Sequence, residues 1–596
     1  PGVKNLRFYA LVPLLFCLPL VAILGTRLAA ISGDNSVLLL LVVGISAVVL
    51  CAPSKRLVHP ETYPLAVLAI SLSLLLHVAL ISKYLIGYDV HIEYHFAKLT
   101  SMNSIWDRTI PNEYNAMSSI TILPAIYSNL LNLDLNWVFK PIYPLVYSLV
   151  PLILYLAYRK QTSSRIAFLS VFFFMSFNTF YFQMLGLIRE MIAELFFALL
   201  ILLMVQEKML PQKRELLFVI FSVGLIQSHY ALSYIFMFYA LLTFCLLPLL
   251  KRDNVKSRKL ISAGMMLLYF VMAFFWYIFI SPVALQPLTN VSNHIYNQIL
   301  EYVSGPGLSL MPSFVSPVHE ISKYLFYIFQ FFILVGLTAS IVAYREKKFN
   351  EEYFAMAIAS VFILIACMFV PFVAASFRVE RFYHITLFFL APFSVLGGMT
   401  ILSLTARAMS RLSTSANGFA ARVHRSWPRI VSVLLVSFFL FQVGFVYEIT
   451  GDSPASISLA IGRKDAWLTY MHTAYTPEHD VFGARWLYRN VGDASEVYGD
   501  SSIYHVLTSY AMISGKNLFL LSNHTEIPNR GSYIYLRSFN VVYGMLELHG
   551  ANLRCFPHGT WPDYAYGLSN TTQIEPPLSE MNKIYSNGET EVYYRA

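Results

Sequence analysis

Asp89, His91, Glu93 and His95 put four ionisable side chains into seven positions, alternating with apolar residues, just beyond an apolar run at 63–82. If the segment starts a helix, Asp89 and Glu93 share one face at i, i+4 and His91 and His95 share another; if it is extended, all four point the same way. A carboxylate here can take a proton from a hydroxyl, and Asp89, His91 and Glu93 together could hold a divalent metal such as Mg or Mn. The plain alternative is a solvated polar loop, but this one opens at the mouth of a helix bundle.

Other ionisable groups recur at the same depth. Arg189, Glu190 and Glu194 begin an apolar run at 186–206, His229 and Tyr230 stand between two more runs, and Arg378, Glu380, Arg381 and His384 lead into a run at 384–404. Charges near a bilayer are costly and by default mark a site. The competing reading makes Arg189 with Glu190 or Glu194, and Arg381 with Glu380, interfacial ion pairs or snorkelling side chains. The planar fork of Arg suits phosphate. Beside a carboxylate that can deprotonate a hydroxyl, it suits a lipid phosphate leaving group that carries a sugar.

The elements that must position these groups are membrane helices. The 596-residue chain is 57% hydrophobic and only 13% charged, where a soluble domain carries about a quarter charged residues. Apolar runs at 9–30, 36–52, 63–82, 136–157, 166–181, 186–206, 216–229, 231–250, 260–280, 322–344, 353–375, 384–404 and 430–449 predict roughly thirteen spans. The first is read as a membrane helix rather than a cleaved signal, since many more follow. Lys4 and Arg7, Lys55 and Arg56, Arg159 to Arg165, Lys208 to Arg214, Lys251 to Lys259, Arg345 to Lys348 and Arg407 to Arg425 all fall in loops on one side. By the positive-inside rule the N-terminus is cytoplasmic and the tail lies outside the cell membrane. This asymmetry also accounts for the net charge of +9, so nucleic acid is not an expected partner. The short runs 166–181 and 216–229 read as re-entrant or incomplete spans, with polar tips at membrane depth.

Three regions follow: an N-terminal helix pair (1–62), a transmembrane core (63–450) with outer loops at 83–135 and 281–321, and an extracytoplasmic α/β domain (451–596). In the first loop, 118–131 reads as an interfacial helix. Sequons at Asn290, Asn523 and Asn570 all lie on the outer side. The five cysteines show no metal-type spacing, and Cys555 stands alone in the tail. The tail carries a helix at 478–490, strand-like runs at 495–499 and 532–537, and Asn587-Gly588 between alternating apolar residues, which predicts a hairpin with a type I′ turn.

Gly87-Tyr88-Asp89-Val90-His91-Ile92-Glu93, Arg189-Glu190-Met191-Ile192-Ala193-Glu194, Ser228-His229-Tyr230 and Arg378-Val379-Glu380-Arg381-Phe382 resemble a group of archaeal predicted membrane proteins of the GT-C superfamily, the polyprenyl-phosphate-sugar-dependent glycosyltransferases. The resemblance implies a GT-C-like polytopic α-helical membrane protein and an inverting transfer. The sugar would pass from a polyprenyl (dolichyl) phosphate to a glycan or surface glycoprotein. It also implies Asp89, with Glu93 second, as base or metal ligand, and Arg189, Arg378 and Arg381 at the donor phosphate. His91, His95, Glu194, His229, Tyr230 and His384 are then candidate substrate contacts, and membrane lipid is a partner. In this family the acidic loop usually follows the first span; here it follows the third, which makes 9–30 and 36–52 an added pair. Trp561-Pro562-Asp563-Tyr564-Ala565-Tyr566-Gly567 resembles the Trp-Trp-Asp-Tyr-Gly signature of oligosaccharyltransferases, with a Pro inside and an insertion before Gly. It is read here as a turn with buried aromatics. Oligosaccharyltransferase-like transfer to protein, a transporter or lipid-linked-glycan flippase, and a structural membrane anchor are the alternatives.

Overall fold

In the computed structural model, residues 2–54, 58–250, 259–280, 282–286, 316–344, 349–369, 379–412, 417–452, 455–463, 475–492, 495–521, 525, 528–549 and 566–596 are described. Arg378, Asn290, Asn523, Cys555 and Trp561 to Ala565 lie outside them.

The described residues of the first three quarters of the chain are mostly helical, because apolar runs have nowhere else to satisfy their backbone in lipid. Among the described residues, six helices are long and apolar enough to cross a membrane: Val12–Ser32, Pro60–Ala79, Leu135–Gln161, Ala263–Ile280, Pro317–Val342 and Glu380–Arg411. Ser36–Cys51, Ser118–Leu131, Ser164–Met175 and Tyr230–Leu246 are shorter apolar helices. The expected run at 166–181 is therefore interrupted. Ser164–Met175 at 1.5 Å per residue reaches only about 18 Å, against a hydrocarbon core of about 30 Å. The short Asn178–Tyr181 helix and a 3₁₀ turn at Gln183–Gly186 then lead into the Ile188–Met204 helix. Outward-facing apolar side chains such as Leu267, Phe275 and Phe279, each more than 60% exposed, fit contact with lipid rather than water.

The helix that carries Arg381 and His384, Val379–Leu412, packs closely against Pro317–Val342. A side chain at Gly336 or Gly397 would overlap the facing backbone at Phe393 or Phe332, so small residues set this separation.

The tail forms the α/β domain. Strands β1 (Val497–Gly499), β2 (Leu518–Leu520), β3 (Tyr533–Leu536), β6 (Asn582–Ser586) and β7 (Glu591–Tyr594) build one sheet in the order β2-β1-β3-β7-β6. The β1–β2 and β1–β3 pairs are parallel, and β3–β7 and β6–β7 antiparallel. Strands β4 (Met545–His549) and β5 (Tyr566–Asn570) form a separate pair. Helices Glu478–Asn490 and Ile503–Tyr510 accompany the sheet. The predicted hairpin is present, but not with a two-residue type I′ turn. Ser586 pairs with Glu591, which leaves a four-residue loop. The Asn587 side chain takes over the turn, its Oδ1 accepting the N–H groups of Glu589 (3.2 Å) and Thr590 (2.8 Å).

The domain is fastened to the core. Ile86 bridges to Tyr475, the Leu85 N–H donates to the Tyr510 hydroxyl at 3.1 Å, and Tyr510 in turn donates to Asn136 Oδ1 at 3.1 Å. On the N-terminal pair, Asn35 donates to Glu448 Oε1 (2.9 Å) and to the Leu459 carbonyl (2.6 Å), which ties the turn between the first two helices to the segment leading into the tail.

Candidate functional site

The acidic segment is helical, and its helix, Asp89–Asn103, begins at Asp89 itself. Gly87 sets the start. Its φ is +113°, and a Cβ there would lie 2.5 Å from the Cα of Gly186, so two glycines let the two chain segments touch. That contact lays the first turn of this outer-loop helix against the N-terminus of the Ile188–Met204 helix.

Glu93 then works as a cap from outside. One carboxylate oxygen accepts the Ile188 N–H at 2.8 Å; the other accepts Arg189 Nη1 at 2.5 Å. Glu93 satisfies backbone donors that the helix cannot satisfy itself, and its charge complements the helix dipole. It is fully buried, and that burial pushes its carboxyl up to about 7 against the opposing pull of Arg189. Arg189 Nη2 holds Asp89 Oδ2 at 2.7 Å, and its guanidinium lies 4.6 Å from the centroid of the Tyr114 ring. Arg189 is thus enclosed by two carboxylates and an aromatic face, with its side chain 4% exposed.

Asp89 is the open member of the set, its side chain 29% exposed. Arg381 reaches it from the opposite helix at 4.0 Å and stands 3.7 Å from Glu190 Oε2. Both separations exceed a hydrogen bond. The Arg381 side chain is 22% exposed, so its guanidinium can turn toward a ligand. The local ion pairs considered from sequence are not the ones formed. Consecutive helical residues point about 100° apart, so Arg189 faces the outer-loop helix while Glu190 faces Arg381. Glu380 is exposed instead.

His229 and Tyr230 sit at a break between the Pro211–Ser228 and Tyr230–Leu246 helices, His229 with extended backbone (φ −157°, ψ 115°). Both are within electrostatic reach of Arg189, Arg381 and Asp89. His229 is buried, and its Nδ1 has no partner among the described residues. Glu194 and His384 lie deeper. Glu194 Oε2 accepts the Tyr147 hydroxyl at 2.5 Å and stands 3.3 Å from His384 Nε2, all three side chains being sealed from solvent.

The histidines of the outer-loop helix face the other way. His91 Nδ1 pairs with the Ser509 hydroxyl at 2.8 Å, its Nε2 lies 3.4 Å from Thr476 Oγ1, and His95 Nδ1 accompanies the Thr508 carbonyl at 2.9 Å. The helix therefore splits its ionisable groups, with acids toward Arg189 and imidazoles toward the α/β domain. This separates the trio Asp89, His91 and Glu93, and among the described residues no group of three His, Cys, Asp or Glu is disposed to hold a metal. His91 points away, and the two carboxylates are engaged by Arg189.

Three contributors went unread in the sequence. Tyr114 lies in Asn112-Glu113-Tyr114-Asn115, whose polar side chains organise the loop: Asn112 Oδ1 accepts the Tyr114 N–H at 2.9 Å, and Asn115 donates to the Asp107 carbonyl at 2.7 Å. That asparagine-rich patch was the available signal. Gly87 opens the acidic segment, and its role depends on Gly186, which lies 99 positions away. Tyr147 sits in an apolar run and carries no local signal.

The family described as predicted membrane protein, DUF2206, matches residues 214–593, well over half of the chain. The chain belongs to DUF2206. The match bears out the resemblance to a group of predicted membrane proteins, and with the apolar helices above it makes this a multi-pass membrane protein. The DUF2206 match includes His229, Arg381 and His384 and begins after Asp89, Glu93 and Arg189. No curated protein matches in sequence. Among solved structures, the chain is similar to the oligosaccharyltransferase of Archaeoglobus fulgidus in its apo form, with 11% identity, 84% of this chain and 70% of that chain covered, and a TM-score of 0.45. It is also similar to ArnT of Cupriavidus metallidurans bound to undecaprenyl phosphate, with 12% identity, 90% and 97% covered, and a TM-score of 0.45. Both likenesses are low in identity and in superposition.

Proposed function

We propose that this protein is a membrane glycosyltransferase of GT-C type that moves a sugar from a polyprenyl (dolichyl) phosphate to a glycan or glycoprotein acceptor on the outer face. The observation that carries the reading is the meeting of an accessible carboxylate, Asp89, with a partly exposed guanidinium, Arg381, where the Asp89–Asn103 and Val379–Leu412 helices begin. Asp89 takes the proton of the acceptor hydroxyl. The hydroxyl oxygen bonds to the anomeric carbon as the bond from that carbon to the phosphate oxygen breaks, with inversion, and the electron pair leaves with the phosphate. Arg381, with Arg378, neutralises the charge developing there, in a partly dry site where such stabilisation is large. Arg189 is a positioning residue in this scheme: with Nη1 on Glu93 and Nη2 on Asp89, it orients the base rather than meeting the phosphate. His229, with its unpartnered Nδ1, and Tyr230 are the substrate contacts nearest these groups. His91 and His95 serve the helix that carries Asp89, and Glu194 and His384 the packing behind Arg381. No step is routed through a metal.

A transporter would gather its polar groups near the bilayer midplane. Asp89, Glu93, Arg189 and Arg381 gather at the first turns of their helices, which favours the transferase. The test is transfer from radiolabelled polyprenyl-phosphate sugar by the purified protein and by Asp89→Asn. Loss of a general base lowers the rate about a hundred- to ten-thousand-fold with donor binding retained. Equal rates would remove Asp89 from the mechanism.

A further inference from the structure

Two cations on the outer side lie apart from the candidate active site and touch no carboxylate among the described residues. Lys98 is on the outer-loop helix, on the face of Tyr94 at i+4, and its Nζ stands 5.0 Å from the centroid of Tyr488. Arg485 sits three residues before Tyr488 on the Glu478–Asn490 helix of the α/β domain. Its guanidinium is 5.6 Å from the Tyr84 centroid and 5.9 Å from that of Tyr510, on which Tyr94 packs at 5.6 Å. Both cations therefore rest on tyrosine rings where the Asp89–Asn103 helix meets the α/β domain.

Their N–H donors have no acceptor among the described residues. Burial, and after it the charge of Arg485, lowers the Lys98 ammonium below the usual lysine range, with Asp134 pulling the other way. Asp134 itself spends an oxygen on the Asn136 N–H, at 2.9 Å. Two like charges brought together by separate elements, with ring faces beneath them and donors that meet no protein acceptor among the described residues, are complementary to an anion that both could grip through charge-assisted hydrogen bonds.

We propose that Lys98 and Arg485 form an anion-binding subsite that takes a carboxylate, sulfate or phosphate on a sugar a few units from the reacting hydroxyl, so that the acceptor is an acidic glycan. Lys98 follows Asp89 by nine residues on one helix, about 13 Å along its axis, so one rigid element carries both the base and half of the subsite. That the anion belongs to an acceptor rests on the transferase reading; the anion site itself does not. A glycan is favoured over a lipid headgroup because the helix that carries Arg485 belongs to the α/β domain and also bears the polar side chains of Glu478, His479 and Arg489.

The experiment is calorimetric titration of the full chain, in nanodiscs of neutral lipid, with the trimer of galacturonic acid and with maltotriose as the uncharged control. The acidic trimer binds, more weakly as salt rises, and maltotriose does not. The double variant Lys98→Gln, Arg485→Gln binds it about tenfold or more weakly, as expected for loss of charge-assisted bonds. Arg485→Gln alone, at an exposed position, shows part of the loss and Arg485→Lys restores most of it, which covers the case in which the double variant does not fold. Asp89→Asn keeps this binding while losing transfer, so failure of the transferase reading and failure of the subsite are separable. Equal binding of both trimers, or an undiminished affinity in the variants, overturns the proposal. So does a phosphatidylglycerol preference over neutral nanodiscs that the variants abolish while trimer binding stays, because the groove would then be a headgroup site.

Discussion

Arg189 holds two carboxylates at once, Asp89 at 2.7 Å and Glu93 at 2.5 Å, and this makes it the residue on which the geometry of the site turns. Removing it leaves the buried Glu93 charge unpaired, which costs about 3–5 kcal/mol. Arg189→Ala is therefore expected to lower thermal stability by about that much as well as to abolish transfer, whereas Arg381→Ala, which removes a looser and partly exposed partner of Glu190 and Asp89, loses transfer with a smaller loss of stability. Thermal unfolding beside a transfer assay reads both; equal destabilisation by the two variants would contradict the division of roles. Gly87→Ala is a second test at this scale. At φ +113° with the Gly186 backbone in the way, it is expected to cost at least about 1–3 kcal/mol and to move Asp89 off Arg189. Residue types and spacing singled out Asp89, Glu93, Arg189 and Arg381. Which acid meets which base was not legible, since Arg189 and Asp89 are 100 positions apart while Glu190 is adjacent.

The outer-loop helix is the element that joins the site to the α/β domain. Its two-faced pattern was legible from the alternation at 89–95 once the segment was taken as a helix, because side-chain direction there follows from the helical period. What each face meets was not: Ser509 lies 418 positions from His91. Burial first, then His505, holds His91 well below the usual histidine range, and burial lowers His95 against the pull of the Thr508 carbonyl. Both imidazoles are neutral where they dock, while a released histidine titrates near 6.5. The contact is therefore fully stable above about pH 6.5 and loses stability as pH falls below it, because the separated state then binds the extra protons. Protection of the backbone amides over 89–103 and 503–510, taken as the exchange rate relative to the intrinsic rate at each pH, is expected to be greater at pH 7.5 than at pH 5, with His91→Gln reducing the difference. Identical protection at the two pH values would show that docking does not depend on these imidazoles.

For the whole molecule, the basic loops and the domain that follows the last apolar helix make a topological prediction. A cysteine at exposed Lys208 is expected to react with a membrane-impermeant maleimide only after permeabilisation, and one at exposed Ser586 in intact cells; the reverse pattern would turn the site toward the cytosol. By itself the sequence determined the membrane class, the position of most helices and the α/β character of the tail, and it left the acidic segment open between a two-faced helix and an extended strand. These follow from composition and periodicity, which are local. The tertiary structure decided the rest: the interruption after Met175, the Asn587-centred loop in place of a two-residue turn, the separation of His91 from Asp89 and Glu93, and the pairing of Arg189 across 100 residues. Each depends on close approach between distant segments, as where Gly87 meets Gly186, and a contact of that kind leaves no period in the chain for a reader to find.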